Sequence, residues 1–321
     1  MKTHNNNPAV LLIFFLILSQ GVRSQDTHYG PTYQAMLMNN PAFSGVAAEG
    51  TLRLSYLNFL PGNNYDFHSF FASYDSYFSE LHGGAGLWIA DDYLGGIVND
   101  LRGGLAYAYS LRAGKEFYIN AGLGAAFFHR GFTFAGAVLP DMIDRLGGIS
   151  YPSSEVLSDG GRTVLDMSTG FLLIYRKFFA GLSVNHLSQP DLSHNGSPER
   201  LKRKFSMNAS WLTGGNNLGL RPIGFLEIQE SFVTGSAGVS AETQHLSMTM
   251  LFSANNAGNS GLQTGFAVNA GRLGIFYNYR FSLKSASALL PVSLLHQAGI
   301  SFSLNRVDKR DNPGTINMPR M

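Results

Sequence analysis

Large apolar side chains recur two positions apart along most of this chain, with small or polar residues between them. That is the period of a β-strand whose two faces meet different surroundings. Leu105, Tyr107, Tyr109 and Leu111 alternate with Ala106, Ala108 and Ser110, and Phe205, Met207, Ala209 and Trp211 alternate with Ser206, Asn208 and Ser210. Leu246, Met248, Met250 and Phe252 are set against Ser247, Thr249 and Ser253. Leu273, Ile275, Tyr277, Tyr279 and Phe281 point one way and Gly274, Asn278 and Arg280 the other, with Phe276 as an exception. Leu294, His296, Ala298, Ile300, Phe302 and Leu304 share a face, and Gln297, Gly299, Ser301 and Ser303 face away.

The pattern predicts strands near 51–57, 67–78, 83–91, 101–111, 116–128, 164–175, 178–187, 203–212, 220–232, 236–244, 246–254, 262–270, 272–281 and 294–304. The strand starting near 220 alternates poorly. The total is about 14, and an even number is what a single-chain bacterial membrane barrel has. Connections after even-numbered strands are short, as at 79–82, 113–115 and 176–177. Most of those after odd-numbered strands are longer: 58–66, 92–100, 129–163, 188–202 and 282–293.

A soluble sandwich alternates too, so three further features decide. The polar face carries small uncharged residues and few of the Lys and Glu that solubilise an exposed sheet. The strands run about 9–12 residues, which suits a tilted membrane strand better than the roughly 5–6 of soluble sheets. The connections alternate short and long. The expected fold is therefore all-β: a transmembrane antiparallel β-barrel of about 14 strands, with short periplasmic turns and longer outer loops. Closure pairs every backbone N–H and C=O, which lipid demands. Tyr56, Phe117, Tyr175 and Trp211 fall near strand ends, where aromatic girdles sit. A barrel of this size encloses more space than its own side chains fill, so the lumen should hold water, a plug or a bound segment.

Composition sharpens this picture. Only 14% of the 321 residues are charged, against roughly a quarter in an average soluble domain. After the first 20 residues no stretch approaches the roughly 20 apolar residues of a membrane helix. A net charge of +2 gives no basic surface for nucleic acid. The absence of Cys excludes disulfides, thiolate metal sites and a Cys nucleophile. At the start, Lys2 and His4 precede the apolar run Ala9–Leu18, and Val22 and Ser24 suit a cleavage site before Gln25. This predicts a signal peptide over 1–24, then a periplasmic N-terminal segment 25–49, a barrel 50–304 and a periplasmic tail 305–321, in the cell outer membrane with its lipid as first partner.

Several residues are candidates for function. Asn40, Pro41, Phe43 and Gly45 precede the first strand; they form either a segment that contacts a partner or plugs the pore, or a structural turn into the barrel. Arg53, Asp75, Asp166 and Arg280 fall on the predicted lumen face, lining a conduit or pairing among themselves. Asp91, Asp92 and Asp100 sit in one predicted outer loop, without the spacing of a defined calcium loop. The connection 129–163 is long enough to be a lid. Arg306, Lys309 and Arg310 in the tail are a candidate partner contact, or simply solvated. Enzymatic motifs are missing: there is no phosphate loop, zinc-protease helix or dinucleotide fingerprint, and His186 and Ser188 show no triad spacing.

The segment Gln25-Asp26, then Tyr33-Gln-Ala-Met-Leu-Met-Asn-Asn40-Pro41-Ala42-Phe43-Ser44-Gly45, resembles the opening of the PorP/SprF family of outer-membrane proteins of Bacteroidetes. So do Phe179-Ala180-Gly181-Leu182-Ser183 with Asn185-His186-Leu187, and Leu273–Tyr279 followed by His296, Gly299, Ile300, Ser301 and Phe302. The family's first Asn-Pro is missing here, and Tyr56-Leu57-Asn58-Phe59 replaces its Y-R-x-Q-W run. The resemblance spans 25–304 and implies a non-catalytic barrel of the type IX secretion or gliding apparatus. Such barrels assist secretion or surface attachment of large proteins carrying a C-terminal signal domain, beside a periplasmic lipoprotein ring, with no cofactor. The alternative is a diffusion porin or small-molecule transporter. A porin wants a lumen rich in both signs of charge, whereas this predicted lumen face is mostly Gly, Ala, Ser and Asn.

Overall fold

Alternation of this kind folds into a sheet that closes on itself, as the computed structural model of the chain describes for residues 33, 35–47, 50–59, 67–134, 140–144, 148–149, 159–193, 199–214, 218–285 and 294–304. Numbering the barrel strands alone, they are β1 Thr51–Phe59, β2 Phe67–Phe78, β3 Gly83–Leu94, β4 Val98–Arg112, β5 Phe117–Phe132, β6 Gly160–Tyr175 and β7 Phe178–Asn185. The second half holds β8 Lys204–Trp211 (continued by Thr213–Gly214), β9 Gly219–Gln229, β10 Phe232–Glu242, β11 Leu246–Asn255, β12 Ser260–Ala270, β13 Leu273–Lys284 and β14 Leu294–Ser303. Each strand pairs antiparallel with its sequence neighbours, and β1 closes on β14, from Thr51 opposite Ser303 to Phe59 opposite Leu295. The chain is thus an up-and-down barrel of 14 strands with no free edge. Among the described residues no helix is long and apolar enough to cross a membrane.

The faces are inverted relative to a soluble protein. Along β11, Leu246, Met248, Met250 and Phe252 are 41–61% exposed, while Ser247, Thr249 and Leu251 between them are at most 7% exposed. Outward apolar side chains therefore form the lipid-facing belt, and small polar ones line the interior. On β3, β5 and β6 that belt ends at Ile89, Phe127 and Leu165, where outward positions turn polar. There Asp91 accepts from Asn99, and His129 Nδ1 lies 2.7 Å from the Thr163 hydroxyl.

Two expectations change. β3 and β4 run on to Leu94 and from Val98, leaving a turn of only 95–97 that Gly95 and Gly96 make at positive φ. Asp91, Asp92 and Asp100 accordingly lie on strands, not in an outer loop. Polar strand residues are tolerated there because β4, β5 and β6 have 15–16 residues, more than the roughly 9–11 a bilayer needs, and project beyond it. The outer connections are also not uniformly long, since β9–β10 and β11–β12 turn through 230–231 and 256–259.

The N-terminal segment, for which the sequence leaves both a periplasmic contact and a plug in the pore open, has its residues Tyr33, Ala35–Leu37 and Asn40–Val46 buried inside the barrel. A single helical turn, α1 Met36–Asn39, leads into a 3-10 turn at Pro41–Phe43. The lumen is wide enough for this second layer, and the apolar side chains of the segment find no other water-free surface.

Candidate functional site

The seat of the N-terminal segment is built from named local devices. Pro41 starts the 3-10 turn with φ preset and no N–H to satisfy. The Asn40 carboxamide caps it, its Oδ1 accepting from Ala42 N at 2.9 Å. Its Nδ2 donates outward to the strand carbonyls of Leu182 (3.2 Å) and Phe171 (3.4 Å). Ser44 Oγ closes the turn by donating to the Pro41 carbonyl at 2.8 Å. Gly45, at φ +70°, turns the chain back and donates its N–H to Asp75 Oδ2 at 2.8 Å.

The wall reaches inward to meet this segment. Asn185 donates to the Asn39 carbonyl at 2.8 Å, and Asn120, itself held by Ser110, donates to the Ala42 carbonyl at 3.4 Å. Where no side chain fits, the wall is glycine. A Cβ on Gly122 would stand 2.3 Å from Ala42 N, and one on Gly170 2.0 Å from Asn40 Oδ1. Apolar contact completes the seat: Tyr33, Met36, Ala42, Phe43 and Val46 pack among Tyr118, Leu172, Ile174, Phe179, Ile223 and Leu251. The Phe179 ring takes Tyr33 and Phe43 edge-on, with centroids 5.7 and 5.8 Å away.

Around the seat, charge is paired. Asp75 binds Arg53 and Asp92 binds Arg102. Arg130 bridges Asp100 (2.8 Å) and Glu199 (2.7 Å), and Arg221 holds Glu242 through two bonds of 2.7 and 3.0 Å. Arg280, half-buried on β13, donates to Gln263. Asp166 takes His186 Nδ1 on one oxygen at 2.7 Å and the Ser188 hydroxyl on the other at 2.8 Å. The carboxylate thus stands between hydroxyl and imidazole, whereas a serine nucleophile needs the imidazole next to it. The aspartates weighed for calcium face arginines or an amide, and among the described residues no group of three or more His, Asp or Glu could hold a metal ion.

Above the seat, part of the connection from β7 to β8 folds inward as a cap. Leu192 and Leu201 are buried against Phe128, Asp191 and Arg200 pair through a backbone β-bridge, and Arg162 donates to the Ser193 carbonyl. The backbone N–H of Ser193, then its hydroxyl, hold the partly exposed Asp191 carboxyl below the usual carboxylate range. A small cavity of about 40 Å³ lies beside Met38, lined also by Arg102, Phe128 and His186.

The candidate residues therefore divide. Asn40, Pro41, Phe43 and Gly45 lie together inside the barrel. Arg53 with Asp75, and Asp166, border the same interior, while Arg280 lies on the far wall. Arg306, Lys309 and Arg310 lie outside the described residues, as do the signal-peptide residues 1–24 and most of the proposed lid within 129–163. Sequence reasoning missed the wall partners Asn120, Asn185, Phe179, Gly122 and Gly170. The legible trace of them was large apolar residues on inward positions, such as Ile223 and Leu251.

The profile of the type IX secretion system membrane protein PorP/SprF matches residues 22–302. The chain belongs to the PorP/SprF family. This is a family of secretion-system membrane proteins rather than of enzymes. No curated protein sequence is detectably similar to this one. Among solved structures, the barrel is similar to the Ralstonia pickettii toluene transporter TbuX, at 12% identity and a TM-score of 0.51 over 85% of this chain and 94% of that one. It is also similar to the Pseudomonas putida toluene transporter TodX, at 12% identity and a TM-score of 0.50 over 89% and 96%. Likeness at this identity concerns the fold: the PorP/SprF chain is an outer-membrane barrel like them.

Proposed function

We propose that this PorP/SprF barrel is a non-catalytic outer-membrane component that assists type IX secretion, surface attachment or gliding-associated assembly of large exported proteins. The signal peptide is removed near Ser24/Gln25, and the partners are a periplasmic ring lipoprotein and exported proteins with a C-terminal signal domain. The observation that carries this reading, beyond family membership, is the occupied lumen. A segment held by Asn40, Asn120, Asn185 and Asp75, with Leu192 and Leu201 packed inward nearby, supports a barrel that acts through proteins rather than through free diffusion. With Asn40, Pro41, Phe43 and Gly45 inside, the exposed partner contact falls to the tail residues Arg306, Lys309 and Arg310.

The alternative is a porin or small-molecule channel, for which the likeness to toluene transporters speaks at the level of fold alone. Purification from native outer membranes in mild detergent, followed by mass spectrometry and crosslink mapping, separates the two. Enrichment of ring lipoproteins or of proteins with the C-terminal signal domain, crosslinked through 305–321, is the expected result. A barrel recovered alone that passes solutes in a bilayer would put the channel reading in its place.

A further inference from the structure

We propose that the lumen seat is a peptide-binding site, and that Tyr33–Val46 is its resident, intramolecular ligand. The chemistry it accepts is a neutral, turn-forming polypeptide segment entering from the periplasmic side.

Three observations lead there. First, this segment adds no strand to the barrel, whose fourteen strands close without it. It is bound as a ligand is bound, by side chains and by shape. Second, the wall reads main chain. Asn185 and Asn120 donate to the carbonyls of Asn39 and Ala42, and Asp75 accepts the N–H of Gly45. Gly122 and Gly170 let the backbone and the Asn40 amide approach to distances that a Cβ would forbid. Any chain able to make the same turn can meet these groups, while the Phe179 ring selects an aromatic side chain at the Phe43 position. The charged wall group that meets the occupant, Asp75, is already held by Arg53, so the site favours neutral peptides over acidic or basic ones.

Third, both ends of the segment point the same way. Tyr33 packs on Phe179 and Phe225, Phe179 being the second residue of β7 next to the periplasmic turn 176–177. Gly45 lies against Gly84, at the start of β3 beside the turn Ser79–His82. Both ends of the described segment thus lie toward the same end of the barrel, from which it can withdraw, or be replaced, with the wall intact. On the other side Leu192 and Leu201 pack inward against Phe128.

That the replacing chain belongs to the secretion machinery or its cargo rests on the function proposed above; the site itself does not, and it is tested with the purified full-length barrel alone. The probe is a labelled synthetic peptide of residues 33–46. The native barrel should bind it weakly, because its own segment competes. A barrel carrying Asn40→Ala and Phe43→Ala, which loosen the resident segment, should bind it about tenfold more tightly. Adding Asn185→Ala, or separately Gly122→Ala, should remove that gain, with the folded barrel verified by its heat-dependent gel shift. In a planar bilayer the peptide should block current through the loosened barrel from the periplasmic face only. If the loosened barrel shows no binding, or binds a scrambled peptide equally well, or is indifferent to the two wall substitutions, the seat is a structural packing site and the proposal is wrong.

Discussion

At the scale of single residues, the interior depends on a few atoms that have no substitute. Asn40 is one: it satisfies Ala42 N and two wall carbonyls together. Asn40→Ala leaves a buried N–H without its acceptor, a loss of about 1–3 kcal/mol in holding the segment. Gly170→Ala should do the same from the opposite side by driving a Cβ into the Asn40 amide. Each alone is expected to raise ion conductance in a bilayer, and the double variant to conduct less than Gly170→Ala alone, because the smaller side chain restores room. Additive conductance would show that the two residues do not meet. Arg221, 1% exposed and bonded twice to Glu242, is the other critical point. Glu242→Ala strands a buried guanidinium and should lower unfolding stability by about 3–5 kcal/mol. Replacing both partners with apolar residues should recover much of it, as read from urea midpoints. None of these partnerships was visible in the sequence, since Asn120, Asn185 and Glu242 look like ordinary inward-facing strand residues until register places them.

Elements were far more legible, because lipid on one side and a polar interior on the other force a period of two. The strand near 220 alternates poorly for a reason the structure supplies: its inward positions Ile223 and Phe225 are apolar because they receive the N-terminal segment, Phe225 lying 4.9 Å from Tyr33. The polar run around Asp91, Asp92, Asn99 and Asp100 read as a loop because lipid excludes such residues, yet it is strand that has already left the bilayer. The inward fold of the β7–β8 connection was not legible at all, since Leu192 and Leu201 stand in no periodic pattern. Truncating Leu192 to Ala should cost that cap about 2–5 kcal/mol and expose it to external protease. Acid should loosen it as well. Asp191 has a folded pKa below its unfolded one, so its contribution is complete above the ordinary value of about 3.9 and fades as pH falls through the lower folded value. Faster amide exchange at Ser193 and Glu199 below that range, abolished as a pH effect by Asp191→Ala, is the expected result.

For the whole molecule, the N-terminal segment occupies the lumen from below, and Leu192 and Leu201 pack inward on the other side. Native barrels should therefore give a quiet baseline in bilayer recordings, Asn40→Ala should raise it, and Leu192→Ala together with Asn40→Ala should conduct more than either alone. A steady current through the unmodified barrel would contradict the arrangement. The belt, the strand order and the closure of β1 on β14 follow from composition and periodicity. What fills the barrel does not, because a water-filled and a peptide-filled lumen ask for nearly the same small polar lining.

The seam where the barrel closes also carries a consequence in time. The Leu304 N–H donates to the Gly50 carbonyl at 2.7 Å, so the end of the last strand is fastened to the residue that leads out of the enclosed segment. The seat, meanwhile, draws on strands from β2 to β11, much of it well down the chain. The segment that is synthesised and exported early thus has no destination until far later strands have curled around it and the seam has zipped. Assembly must begin with its opening residues waiting outside and end with their arrival.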